Sequence, residues 1–109
     1  MHSIGLVMKL KKGCYGRYKE IHDNLWPEIA TSMSDNSVNM VIYHQSDDHL
    51  FVHATAPSAE HWDRSRSHQA LAKWQLAMTE LVETDDHGDV LYEVLEEAFA
   101  FGDFKDSTP

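Results

Sequence analysis

Residues 38–56 read VNMVIYHQSDDHLFVHATA, and this stretch decides how the rest of the chain folds. Two runs of strand-forming residues, Val38 to His44 and Leu50 to Ala56, flank the turn-forming sequence Ser46-Asp47-Asp48. Side chains alternate along each run, so the two runs predict a β-hairpin with two distinct faces. In the first strand one face carries Val38, Met40 and Ile42, and the other carries Asn39, Val41 and Tyr43.

A strand and a helical region are predicted upstream of the hairpin. Ile4 to Leu10 is a short apolar run that ends before Lys11-Lys12-Gly13, which is typical of a strand. Apolar and aromatic side chains three or four residues apart then predict a helix as far as Leu25. Pro27 lacks a backbone N–H, so it ends or kinks that helix, or it starts a second helix that runs to Asp35-Asn36.

Two helices and a closing strand are predicted downstream of the hairpin. Ser58 can cap the first helix, and Ser67 can cap the second, whose long apolar stripe includes Trp74. The segment from Leu91 to Phe101 fits both a helix and a strand. We expect a strand at its end, in Ala98-Phe99-Ala100-Phe101, because the order β-α-β-β-α-β then closes as a ferredoxin-like sheet.

These elements predict an α+β fold, a ferredoxin-like βαββαβ sandwich with helices on one face of the sheet. The strands are apolar on both faces, so the face without helices needs a partner. A second copy packing sheet against sheet would supply it and form a dimeric α/β barrel. The 109 residues fit one domain, which we expect at 1–102, followed by a polar tail at 103–109.

Charge and cysteine content restrict the partners and the compartment. Nine Lys and Arg against 18 Asp and Glu give a formal net charge of −9, which repels nucleic-acid phosphates. No run approaches the ~20 apolar residues that span a bilayer, and the N-terminal residues do not have the order of a signal peptide. The single cysteine, Cys14, fits a reducing compartment. We expect a cytoplasmic protein that binds neither nucleic acid nor membrane.

Eight histidines raise the question of a metal site. His44, His49 and His53 lie on the predicted hairpin, and two or three imidazoles there could hold zinc or copper. No carboxylate or thiol lies at a matching spacing, so solvated histidines are the simpler interpretation and no metal is expected. Cys14 precedes a helix, where a thiol pKa can be lowered, but the sequence identifies no positioned base for it.

An aromatic and polar cluster surrounds the first helix and its end: Tyr15, Tyr18, His22 and Trp26. Tyr18 and His22 are four residues apart and share a helix face. The pattern alone favours a buried core face. The functional alternative is the floor of a sugar pocket, since aromatic faces pack on C–H groups and an imidazole exchanges protons with hydroxyls. Backbone carbonyls at the helix end would favour protonated His22, which would then act as an acid.

The chain carries Tyr18-Lys19-Glu20-Ile21-His22 followed by Leu25-Trp26-Pro27-Glu28. With this combination it resembles the L-rhamnose mutarotases, over about residues 3–101. Further matches are Val41-Ile42-Tyr43, Glu60-His61-Trp62, Lys73-Trp74 with Met78, and Leu95-Glu96-Glu97-Ala98-Phe99, the last as the closing strand.

The resemblance implies a dimeric isomerase that interconverts the α and β anomers of L-rhamnose without a metal or organic cofactor. His22 matches the family's proton donor, Tyr18 a substrate-binding tyrosine, and Trp74 the first of two tryptophans that pack against the sugar. Ring opening and closure would proceed by general acid–base catalysis, with His22 protonating the ring oxygen. The base remains open among Tyr18, another polar pocket group and a water molecule.

Two substrate-pocket positions depart from the family pattern. Met40 stands where the family commonly has a tyrosine, and Gln75 stands where it has the second tryptophan. Both changes alter which sugar hydroxyls the pocket favours, so L-fucose is an alternative substrate. A non-catalytic binding module is the alternative of another class, because the fold alone does not fix a function. A monooxygenase-like barrel acting on aromatic compounds fits less well, since the pocket is polar.

Overall fold

In the computed structural model, which describes residues 1–105, a four-stranded antiparallel sheet carries helices on one face. The elements are β1 (His2–Lys9), α1 (Tyr15–Asp23), α2 (Pro27–Asp35), β2 (Asn39–His44), β3 (His49–Ala56), α3 (Ala59–Ser65), α4 (Gln69–Met78) and β4 (Tyr92–Val94), followed by a 3-10 helix (Gly102–Phe104). The strand order β2-β3-β1-β4 is that of a ferredoxin-like sheet, as predicted.

The hairpin forms as the sequence predicts. β2 and β3 pair antiparallel, with Met40 opposite Ala54 and Ile42 opposite Val52. The turn closes with the Asp48 backbone N–H donating to the Gln45 carbonyl at 2.9 Å. The faces of the two strands are therefore fixed, with even-numbered residues towards the helices and odd-numbered residues away from them.

The core lies between the inner face of the sheet and the helices. Leu10 and Leu50 are almost completely buried, and Val82 is completely buried. Leu10 and Val82 also form an isolated antiparallel bridge, which ties the segment after α4 to the end of β1. Burial of these apolar side chains is the main favourable term that holds helices and sheet together.

The helical region upstream of the hairpin breaks into two helices at Pro27. α1 ends at Asp23, and α2 starts with Pro27 at its first position, where the missing N–H costs no hydrogen bond. Of the three outcomes that the proline allowed, the start of a second helix is the one observed. Cys14 directly precedes α1 and packs partly buried against the core.

One predicted cap is confirmed and one is wrong. The Ser58 hydroxyl accepts a hydrogen bond from the His61 backbone N–H at 3.2 Å at the start of α3. α4 is capped by His68, whose Nδ1 accepts from the Ala70 backbone N–H at 3.0 Å. Ser67 does not cap it, because its hydroxyl donates to the Asp63 carbonyl at the end of α3, at 2.6 Å.

The closing strand lies earlier in the chain than predicted. β4 pairs with β1 through Leu6 opposite Val94 and Met8 opposite Tyr92, and the Leu95 N–H donates to the Gly5 carbonyl at 2.8 Å. Residues 96–101 then leave the sheet, so the strands expected at 98–101 and matched at 95–99 are wrong. An alternating apolar pattern indicates a strand only where a neighbouring strand edge can pair with it. The edge of β1 pairs with the earlier segment Tyr92–Val94 instead.

The C-terminal end continues past the sheet. Phe104, in the 3-10 helix, has its ring centroid 5.2 Å from that of His53 on the outer face of β3. The predicted polar tail at 103–109 extends beyond the described residues, since 106–109 lie outside them.

Helix lengths bear on membrane insertion. α4 has ten residues. In the described part of the chain, no helix has the length and apolar character needed to cross a bilayer.

Candidate active site

A cavity of about 420 Å³ opens between α1, α4 and the inner face of β2. Its lining includes Tyr18, His22, Met40, Arg66, Leu71 and Trp74. The size suits a small ligand, and apolar walls with a few polar groups are typical of such sites.

Tyr18, His22 and Trp74 meet at this cavity, and Trp26 packs against Trp74 outside its lining. The Tyr18 and His22 rings are 4.0 Å apart between centroids, as expected for neighbouring positions one helical turn apart. Trp74 on α4 presents its ring at 79° to His22, 5.0 Å away, and Trp26 is 5.2 Å from Trp74 on another side. The sequence predicted the Tyr18–His22 pair, whereas Trp74 was assigned only through the family resemblance.

The His22 ring is held by a backbone hydrogen bond. Its Nδ1 lies 2.8 Å from the carbonyl oxygen of Tyr18, and a carbonyl can only accept, so Nδ1 carries the proton. Within residues 1–105 no hydrogen bond engages Nε2. A neutral His22 therefore offers a lone pair on Nε2 beside the cavity.

The expected charge state of His22 is wrong. Burial lowers the pKa of the imidazole, and this effect outweighs the Tyr18 carbonyl and the Asp23 carboxylate, which both raise it. The carbonyl effect predicted from the helix end is thus present but weaker than desolvation. His22 is neutral at neutral pH.

Burial also changes the acidity of Tyr18. Its side chain is buried, and desolvation of the phenolate raises the pKa to about 12. The phenol is therefore protonated throughout the neutral range and can donate a hydrogen bond.

The two positions that depart from the family pattern take different places. Met40 points from the inner face of β2 into the main cavity. Gln75 lines an adjoining smaller cavity of about 90 Å³, which His22, Met40 and Trp74 also line. The other four predicted site residues thus share a cavity with His22, Gln75 only the smaller one.

Arg66 and His44 were not predicted to line the cavity. Arg66 borders both cavities, and its guanidinium carbon lies 5.3 Å from the centre of the Trp62 ring. His44 lies under the Tyr15 ring, with centroids 3.7 Å apart and planes 7° from parallel. The four-residue spacing of Trp62 and Arg66 on a predicted helix was a usable signal for their contact, but nothing local placed that pair at the cavity.

The hairpin histidines have separate partners. His44 lies 3.2 Å from Asp48, His49 2.7 Å from Asp47, and His53 3.5 Å from Ser3. Within the described part of the chain, no group of three or more His, Cys, Asp and Glu side chains is placed to hold a metal ion.

Comparison with known proteins places this site in a family context. A sequence model of the L-rhamnose mutarotase family matches residues 3–101. The L-rhamnose mutarotase of Shouchella clausii is 28% identical over 95 residues, which cover 85% of this chain and 91% of that protein. The crystal structure of an L-rhamnose mutarotase from Formosa agariphila superposes with a TM-score of 0.78 at 26% identity, covering 94% of this chain and 100% of that one.

More distant structures share the fold alone. A Nitrosomonas europaea protein named as an antibiotic biosynthesis monooxygenase superposes with a TM-score of 0.62 at 10% identity, covering 91% of this chain and 100% of that one. The family match spans nearly the whole chain, including both helices that carry His22 and Trp74. The chain therefore belongs to the L-rhamnose mutarotase family and is an isomerase of that family.

Proposed function

We propose that this enzyme interconverts the α and β anomers of a 6-deoxy-L-hexose, with L-rhamnose as the first candidate. The observation that carries the proposal is the fixed imidazole of His22, whose Nε2 borders a cavity walled by Trp74 and Tyr18. The named relatives are L-rhamnose mutarotases, which supports the choice of sugar.

The chemistry requires the transfer of one proton between two oxygens on the same carbon. Neutral His22 takes the proton of the anomeric hydroxyl at Nε2, and the resulting oxyanion forms the aldehyde as the C1–ring-oxygen bond breaks. The imidazolium then delivers the proton to the ring oxygen. Rotation about C1–C2 and closure in the reverse order give the other anomer and return neutral His22.

Burial of His22 and Tyr18 favours the protonation states that these steps need. A lowered pKa favours the neutral imidazole that the first step needs. Tyr18, with a pKa raised to about 12, is a poor candidate for the base left open above and serves as a hydrogen-bond donor to a sugar oxygen. The proton transfers need neither a metal nor an organic cofactor.

Trp74 and Met40 contribute shape and apolar contact. The Trp74 ring gives a flat surface on which the C–H face of a pyranose can pack, and Met40 borders the same cavity with a flexible thioether. Because Met40 and Gln75 replace the family's tyrosine and tryptophan, L-fucose, which differs in hydroxyl stereochemistry, is the alternative substrate.

We also propose that two copies pack through the outer face of the sheet. Tyr43, Phe51 and Val7 lie side by side across β2, β3 and β1 on that face, opposite the helices. Tyr43 is 64% exposed and Phe51 38% exposed in the single chain, an apolar row whose burial would stabilise a dimer. A symmetric pair would match this row with itself.

The experiment is polarimetry of freshly dissolved L-rhamnose and L-fucose with and without the protein. We expect the protein to accelerate the approach to the equilibrium rotation of at least one of them. If mutarotation of no deoxyhexose is accelerated while the protein still binds one, the non-catalytic binding module is correct instead.

We also propose a cytoplasmic location, because the single cysteine, Cys14, is free and suits a reducing compartment.

A further inference from the structure

Arg66 borders the reaction cavity without a role in the proton transfer described above. It follows α3, and its guanidinium carbon lies over the Trp62 ring, 5.3 Å from the ring centre. The half-buried side chain lines the main cavity together with His22 and Trp74, and it lines the smaller cavity together with Gln75. The cation thus lies where the two cavities meet.

The guanidinium has no protein acceptor within residues 1–105. The other two arginines and Lys19 have partners: Arg17 pairs with Glu20 at 3.0 Å, Lys19 with Asp23 at 3.1 Å, and Arg64 donates to Asn36 at 3.2 Å. Arg66 forms no such bond or ion pair, and burial lowers its pKa without neutralising it. A desolvated cation with five N–H donors is costly unless an acceptor meets it.

We propose that Arg66 is a substrate-binding residue that donates hydrogen bonds to two neighbouring hydroxyl oxygens of the sugar. The cation–π contact with Trp62 holds the guanidinium beside the cavities, and adjacent ring hydroxyls match its two parallel N–H groups. This inference rests on the proposed sugar mutarotase function. It adds the polar contact that sets which hydroxyl arrangement the site accepts.

Hydroxyls fit this position better than a carboxylate or phosphate. The chain carries a net charge of −9, which repels anionic ligands on approach. Lys19 and Asp23 also border the main cavity, but they pair with each other at 3.1 Å and add no net charge that would favour an anionic substituent. A neutral sugar avoids the long-range repulsion.

The first test compares Arg66→Met with Arg64→Met, by polarimetry over a range of L-rhamnose concentrations, or of L-fucose if that is the better substrate. Methionine keeps much of the length and the contact with Trp62 but removes the donors, whereas Arg64 is exposed and lies outside the cavities. We expect KM to rise about tenfold to a hundredfold in Arg66→Met, the range for hydrogen bonds to a charged group. The turnover number should change by less than about threefold, because uniform binding is lost rather than transition-state chemistry. Arg66→Lys keeps the charge but not the planar donors. Its KM should lie between those of wild type and Arg66→Met.

The second test locates the contact on the sugar. Wild-type enzyme and Arg66→Met are compared on L-rhamnose derivatives in which the hydroxyl at carbon 2, 3 or 4 is replaced by hydrogen. We expect loss of the hydroxyl at either of two neighbouring carbons to raise KM for the wild type. The same losses should change the KM of Arg66→Met little, as for partners in a double-mutant cycle. A role limited to packing would show no such coupling.

Three results would overturn the inference. The first is an unchanged KM in Arg66→Met while wild type is active, which leaves the proposed function intact. The second is equal hydroxyl dependence in wild type and variant. The third is a hexuronate that wild type turns over better than any deoxyhexose, with the advantage lost in Arg66→Met, because the cation would then bind a carboxylate. Failure of wild type on every aldose is a different outcome, which refutes the mutarotase function itself.

Discussion

The Nδ1 atom of His22 donates a hydrogen bond to the backbone carbonyl of Tyr18, 2.8 Å away and one turn earlier in the same helix. This bond selects one tautomer of the neutral ring and fixes its orientation. It leaves Nε2 as the only ring atom that can exchange protons with a ligand. The local sequence spacing therefore determines both the position and the direction of the reactive lone pair.

The first prediction concerns pH. The enzyme-catalysed rate, after subtraction of the rate in buffer alone, should be constant through the neutral range and fall at acidic pH, below the ordinary histidine pKa of about 6.5. The pKa of His22 is lowered from 6.5, and protonation below it occupies the Nε2 lone pair that must accept the anomeric proton.

Polarimetry across pH 4 to 9 measures this dependence. Circular dichroism at each pH is the control that the protein stays folded. A rate that instead declines as the pH rises through 6 to 7 would show that the reactive form is the imidazolium.

The second prediction concerns the Tyr18 hydroxyl. Tyr18→Phe should weaken sugar binding or turnover by about tenfold or less, because one hydrogen bond is lost and the ring contact with His22 is kept. Exchange rates at several sugar concentrations separate the two effects. A variant as active as wild type at every concentration would remove Tyr18 from the binding site.

The sequence predicted the scaffold well where local chemistry decides it. The hairpin turn was correct, and the helix start at Pro27 was one of the three outcomes predicted there, because turn residues and proline act through their own backbone. The closing strand was misplaced, because Tyr92–Val94 and residues 98–101 both contain strand-forming side chains and only pairing with β1 distinguishes them. The Ser67 cap failed for a similar reason, since two helix ends compete for one hydroxyl.

The site residues show the same difference between what local sequence determines and what packing determines. The four-residue spacing of Tyr18 and His22 predicted their contact, but the pKa of His22 depends on burial by residues distant in sequence, such as Trp74. The helix-end carbonyls alone predicted the opposite, a raised pKa for His22. Arg66 was missed because its place at the cavity depends on how α3 packs against the sheet.

The third prediction concerns assembly. Phe51→Glu should convert the proposed dimer to a monomer, because it places a charge at the centre of the outer row formed with Tyr43 and Val7. Light scattering coupled to size-exclusion chromatography measures the mass. Leu76→Glu, at an exposed position on the helical side, is the matched control and should stay dimeric. A monomeric wild type would refute the sheet-to-sheet dimer.

The fourth prediction concerns stability. Leu10→Ala should lower the free energy of unfolding by about 2–5 kcal/mol, since Leu10 is almost completely buried beside Val82. Urea denaturation followed by circular dichroism measures the change. Leu76→Ala, which removes an exposed side chain, should change the midpoint little, and equal losses in both variants would contradict the assignment of the core.

The central claim is that Nε2 of His22 carries the proton between the two sugar oxygens. The direct measurement is NMR saturation transfer between the anomeric proton signals of the preferred deoxyhexose, with wild type, His22→Asn and the exposed control His87→Asn. Asparagine can keep a donor towards the Tyr18 carbonyl but has no atom at the Nε2 position. We expect exchange to be at least about tenfold slower in His22→Asn, with the protein folded and His87→Asn unchanged. Exchange by folded His22→Asn at the wild-type rate would contradict it.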